Sequence, residues 1–171
     1  MRIHIYSTNM IYEELKEIIK EEIGDVEILF DKIKLDLKPA FNKERNQYNA
    51  LKLFDLFGES GNDYYLLIID EDIFVPAFNY CFGVAYTNKG IVSTARLKQS
   101  FYGLEDDPVL FQERLKKEVM HELGHMLGLS HCKNKSCVMY FSNSIEDTDR
   151  KSYRYCNSCK RLLGKYRSKS Q

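Results

Sequence analysis

At 171 residues the chain has the length of one domain, and 44% apolar residues are enough to bury a core. Its 25 basic and 25 acidic residues cancel, and charges interrupt every apolar run, which excludes a membrane helix of about 18 or more uncharged residues. The charge is segregated all the same: from Cys132 onward ten Lys and Arg stand against three acids, Glu146, Asp147 and Asp149, so an acidic body precedes a basic tail.

The opening residues alternate in polarity over 2–7 and are expected to form a strand, not a secretion signal. A helix is expected over 11–23, with Ile11, Leu15, Ile18, Ile19 and Ile23 on one stripe, Asn9 as its cap, and Gly24 as its end. VEILFDKIKL, 26–35, reads as a second strand, and QYNALKLFDLFGESG as a helix that presents Leu51, Phe54 and Phe57 and stops at Gly58. DYYLLIID, 63–70, is a nearly continuous apolar strand of the kind covered on both faces.

CFGVAYT, 81–87, and GIVSTARL, 90–97, are two further strands joined by a tight turn. A long helix follows from Asp107, which can cap it, through Pro108 to Leu127, with Gly128 as its stop. Its broad apolar face of Leu110, Leu115, Val119, Leu123, Met126 and Leu127 predicts burial against the sheet. From Ser130 to Arg154 periodicity fades into loop, and a short helix is expected at about 158–166.

Two constellations carry chemistry. In HELGHMLGLSH, His121 and His125 lie four apart on a helix and reach one ion together, while Glu122 stands one step around without having to ligate it. That arrangement holds zinc, lowers the pKa of a water, and gives the water's proton a carboxylate to go to. Gly128 breaks the helix so that His131 can return as third ligand, leaving the open position of a catalytic site. A structural zinc is the serious rival, but it leaves unexplained both the lack of a Cys ligand and the acid after the first His.

Cys132, Cys137, Cys156 and Cys159 form two pairs of soft ligands, a pattern for tetrahedral zinc with no open position, which would staple a segment poor in apolar residues. The nearby Lys133, Lys135, Arg154, Lys160 and Arg161 are expected to offset its negative charge. A redox pair at CNSC lacks a thioredoxin-like βαβ context, and disulfides suit an unsecreted chain poorly. The basic tail, with Lys165, Arg167 and Lys169 among Tyr153, Tyr155 and Tyr166, is a weak pointer to nucleic acid. Cys81 reads as a small buried hydrophobe and His4 as a hydrogen-bonded sheet residue, and Glu71 and Asp72 read as solvated loop residues in preference to a site for a substrate's free amino group.

On these residues the chain resembles the metzincin metallopeptidases and, within them, the archaemetzincins, in which the third His runs directly into a Cys, then four residues, CxM and a downstream CxxC, here HCKNKSCVM and CNSC. The motif spans about 40 residues, from His121 to Cys159. The resemblance implies an α+β fold with an α/β-like N-terminal half. Its mixed twisted sheet would have a parallel majority and an antiparallel edge strand, with a long active-site helix beneath. One metalloprotease domain would divide into 1–128 and a zinc-stapled 129–171.

The resemblance further implies two zinc ions, a catalytic one on His121, His125 and His131 and a structural one on Cys132, Cys137, Cys156 and Cys159. Met139 would be the Met-turn beneath the histidines; its pattern alone reads as core filler. CFGVAYT is the candidate edge strand for extended substrate. Some metzincins carry a Tyr two residues after that Met, where this chain has Phe141.

The expected function is zinc-dependent peptide hydrolysis with Glu122 as general base and acid. The alternative is a weak or inactive zinc-stabilised peptide-binding or adaptor protein. A cytoplasmic monomer is expected, acting on a peptide or unfolded segment, with neither membrane nor nucleic acid as partner.

Overall fold

A computed structural model of the chain describes residues 1–58 and 61–169, with side chains to Lys165 in the last helix. In chain order the strands β1 (Arg2–Ser7), β2 (Glu27–Lys32), β3 (Phe41–Asn42) and β4 (Gln47–Asn49) are followed by β5 (Tyr64–Ile69), β6 (Ile73–Phe74), β7 (Gly83–Tyr86) and β8 (Lys89–Ser93). The helices are α1 (Leu15–Ile23), α2 (Ala50–Leu53), α3 (Pro108–Met126), α4 (Ile145–Arg150) and α5 (Asn157–Lys169).

Alternation in β1 buries Ile3, Ile5 and Ser7 on one face. The main sheet runs β2-β1-β5-β8-β7, with β7 antiparallel at the edge and every other pairing parallel. Five residues of β5, Tyr65 to Ile69, are buried because both faces are covered. Leu66 and Ile68 join the core with α1 and α3, while Leu67 and Ile69 pack against Leu53, Phe54 and Phe57. This is the expected α+β architecture, and α3 lies along β7 and β8.

The Asp107 carboxylate accepts from the backbone N–H of Val109 and Leu110, each at 3.0 Å, so α3 starts where its cap and Pro108 direct. Beside the strand expected over 90–97, which stops at Ser93 and gives way to a turn of 3-10 helix at Ala95–Leu97, three expectations fail. The first helix begins at Leu15, leaving Ile11 exposed, and Asn9 donates to Asp70 at 2.5 Å instead of capping. The buried polar Glu22, near the end of the same helix, accepts from Arg154, Lys160 and the Tyr155 N–H.

The stretch expected as a second helix is mostly something else. Gln47–Asn49 is a strand because Tyr48 pairs with Ile73, and Gln47 donates to Asp72 and to the Asn79 carbonyl; that tertiary pairing outweighs local helix propensity. Only four residues of helix follow, capped by Asn49, with Leu51 exposed. Gly58 ends this segment at φ +74 and has Tyr65 against it; residues 59 and 60, in the expected GESG stop, lie outside the described residues. The third failure is α4, a helix where fading periodicity predicts loop. Arg114 holds Asp149 bidentately at 2.7 Å, and Thr148 donates to Glu118, so α4 is docked on α3 by polar contacts that leave no apolar period. Among the described residues no helix is long and apolar enough to cross a membrane.

Two candidate metal centres and the cleft above them

On α3, His121 is buried and His125 half-buried, on one face four residues apart. Gly128 takes φ +94 and the chain turns back, with the Leu129 N–H donating to the Gly124 carbonyl at 2.8 Å and the buried Leu129 anchoring the turn. His131 returns with its ring centroid 5.3 Å from that of His121 and 4.7 Å from that of His125. The three rings offer nitrogens within 4.8 Å of one another.

The tautomers follow from two carbonyls. His121 Nδ1–H donates to the Val138 carbonyl at 2.7 Å, and His125 Nδ1–H to the Leu129 carbonyl at 2.8 Å. Both Nε2 atoms therefore present lone pairs, and they face each other across 3.1 Å. Two lone pairs that close repel unless a cation lies between them. A tetrahedral zinc with bonds of about 2.0–2.1 Å needs nitrogens about 3.3–3.4 Å apart. Burial lowers the pKa of all three histidines, His121 furthest, and so favours the neutral ligand form.

The four thiols fit a metal as well. Cys132 and Cys156 sulfurs are 3.8 Å apart, as are those of Cys137 and Cys159, and all four lie within 4.8 Å of one another. Metal–sulfur bonds of about 2.3 Å give a tetrahedron with edges of about 3.8 Å, whereas a disulfide needs about 2.05 Å. The Asn134 and Cys156 N–H groups point at the Cys132 and Cys137 sulfurs. Two of the cations expected to serve here do otherwise: Arg154 pairs with Glu21 and Glu22, and Lys160 with Glu22.

Beneath the histidines, Gly124 makes room. A Cβ there would lie 2.3 Å from the Met139 sulfur and 3.0 Å from Tyr155, so the helix approaches the Met139 turn only because this position lacks a side chain. Above them a cleft of about 570 Å³ opens between α3 and β7. Glu122 is buried in its wall, with Oε2 unpartnered and its carboxyl pushed well above the usual range, first by burial and then by Glu118. Phe141 packs on His131, centroids 4.9 Å apart, and the Tyr80 hydroxyl, which the pattern did not single out, donates to the Asn143 carbonyl at 2.7 Å.

Glu71 and Asp72 are no solvated pair. Asp72 takes Arg96 bidentately at 2.7 and 2.8 Å, and one Glu71 oxygen is buried. His4 is a sheet residue bonded to Asp63 at 3.2 Å and stacked on Tyr65. Cys81 is half-buried, and burial pushes its thiol up to about 12. The side chains of Tyr166, Arg167 and Lys169 in the basic tail lie outside the described residues.

A mixed sheet with an antiparallel edge, a long helix carrying two histidines beneath it, and a cysteine-clustered C-terminal part define the metzincin architecture. The sequence matches the model of Peptidase family M54 over residues 3–165. The chain belongs to that family, the archaemetzincins.

It is 47% identical over 137 residues to the archaemetzincin of Pyrococcus horikoshii, covering 77% of this chain and 73% of that one. It is 38% identical over 164 residues to that of Saccharolobus solfataricus, covering 94% and 89%. The crystal structure of archaemetzincin from Methanopyrus kandleri superposes with a TM-score of 0.86 at 35% identity, over 98% of this chain and 96% of that one. A zinc-dependent peptidase from Methanocorpusculum labreanum gives 0.75 at 28%, over 94% and 99%.

Proposed function

We propose that the chain hydrolyses peptide bonds with zinc on His121, His125 and His131, Glu122 acting as general base and then general acid. The observation that carries this is the pairing of two carbonyl-oriented imidazoles with a buried, unpartnered Glu122 oxygen in one cleft. Zinc in such a site supplies Lewis-acid activation of a water and of the scissile carbonyl. Glu122 takes the attacking water's proton at a carboxylate oxygen and returns it to the departing amine. The exposed edge of β7 offers main-chain groups to an extended substrate across from α3. Family membership, and likeness to a zinc-dependent peptidase, support the same reading.

The cysteine cluster is assigned a second, structural zinc, and Met139 the floor under the histidines. We divide the one domain into residues 1–128 and 129–171, and read it as a cytoplasmic monomer that acts on peptides and not on nucleic acid. Zinc analysis with a mixed peptide library tests the function: two zinc ions per chain, and products that cease on chelation and return with zinc, are expected. Zinc-replete protein that binds peptides and cuts none would overturn it in favour of the peptide-binding alternative.

Gly83 bears on the base directly. A Cβ there would lie 2.6 Å from Glu122 Oε1 and 2.8 Å from its Cγ, so the carboxyl would have to shift out of its position in the cleft wall. Gly83→Ala is expected to lower kcat/KM by about 10²-fold, the scale of an ångström's misplacement, with metal content unchanged. Steady-state kinetics beside metal analysis checks it.

A further inference from the structure

The cleft does not end at Glu122. One turn earlier on α3, Glu118 lines the same cavity, and Lys151 faces it from the end of α4. Both side chains are almost wholly buried, 3% and 0% exposed, with Nζ 3.3 Å from Glu118 Oε1. The ammonium's other contact, to the Tyr140 carbonyl, is long at 3.4 Å, so one of its three donors is unused. Thr148 donates to the same Oε1 at 3.0 Å, so both contacts fall on one oxygen of the Glu118 carboxylate. Ser142, also lining it, has a buried hydroxyl oxygen with no partner.

From this we infer that Glu118, Lys151 and Ser142 form a subsite for a carboxamide side chain, glutamine or asparagine, next to the bond that is cut. The inference rests on the peptidase reading of the same cleft. The subsite offers donors at Lys151 and Ser142, an acceptor at Glu118, and no net charge. A substrate carboxylate would be buried beside Glu118 and a substrate cation beside Lys151, and like charges brought together away from water are costly. An apolar side chain would cover the polar groups without satisfying them. A carboxamide alone among these meets both ends, its carbonyl on the donors and its NH₂ on Glu118. One helical turn is about 5.4 Å, which puts the subsite at a residue flanking the scissile bond.

The test uses zinc-loaded full-length protein carrying Glu122→Ala, so that peptides bind without turnover. Calorimetry on four peptides that differ at one position, Gln, Glu, Lys or Leu, is expected to rank Gln tightest by about 10- to 100-fold, the scale of bonds to charged groups. Ser142→Ala should cut that preference severalfold, and the paired Glu118→Gln/Lys151→Met substitution, which removes both charges together, should abolish it. Tightest binding by Glu, Lys or Leu, equal binding, no binding, or a preference surviving the paired change would each overturn the subsite. Library cleavage separates the two readings: a Gln preference in binding with nothing cut sinks the peptidase reading alone, and cutting without carboxamide bias sinks the subsite alone.

Discussion

Glu122→Ala is expected to keep two zinc ions per chain and to lose turnover by about 10²- to 10⁴-fold, the contribution of a positioned general base and acid. Glu122 is not among the clustered ligands, so its loss removes proton transfer and leaves metal retention to His121, His125 and His131. Nor is it a stabilising residue: it is 3% exposed with one carboxyl oxygen unpartnered, and taking away a desolvated group that lacks a partner does not cost the fold the usual interaction energy. The variant's Tm is therefore expected at or above that of the native chain. Single-turnover cleavage, metal content and thermal unfolding on the same preparations check the three statements. Cleavage that persists after the substitution would remove Glu122 from the mechanism, and loss of zinc would make it a ligand.

What could be read ahead of the structure was what lies within one stretch of chain. HELGHMLGLSH carries its geometry in its spacing, since the helix pitch, the Gly128 break and the returning His131 are all local. Asp107 and Pro108 likewise declare the start of α3, and the apolar run of β5 declares its burial. The misreadings are contacts between distant residues. Gln47–Asn49 becomes a strand because of Ile73 and Asp72; Asn9 serves Asp70; Arg154 and Lys160 leave the thiols for Glu22, more than a hundred residues earlier. No short-range pattern encodes such pairings.

The same holds within the site. Glu118 stands four before Glu122 on a helix that the periodicity already predicted, so its place on the cleft side was available from spacing. Lys151 was not, because it arrives on α4, which has too few apolar residues to announce itself. Gly83 and Gly124 were illegible as well: each matters for the side chain that occupies its missing Cβ, and those side chains come from other elements.

Cys159→Ser should release the structural zinc and, through it, weaken the histidine site by about 10- to 100-fold, the usual effect of losing a ligand's outer partner. A hydroxyl is a poor substitute for a thiolate, and folding free energy that a structural zinc supplies is lost with it. The coupling runs through three residues. Cys137 is in the cluster, Val138 accepts from His121 Nδ1 at 2.7 Å, and Met139 accepts from the Cys132 N–H at 2.9 Å while filling the space over Gly124. On the other strand of the turn, His131 is bonded directly to Cys132. When the sulfurs no longer hold 137 and 132 together, the carbonyl that orients His121 and the backbone that carries His131 loosen at once. Competitive zinc titration of the variant, with far-UV circular dichroism to show that the sheet and α3 persist, measures the effect. Unchanged affinity at the histidines would mean that the two centres share a loop but no free energy.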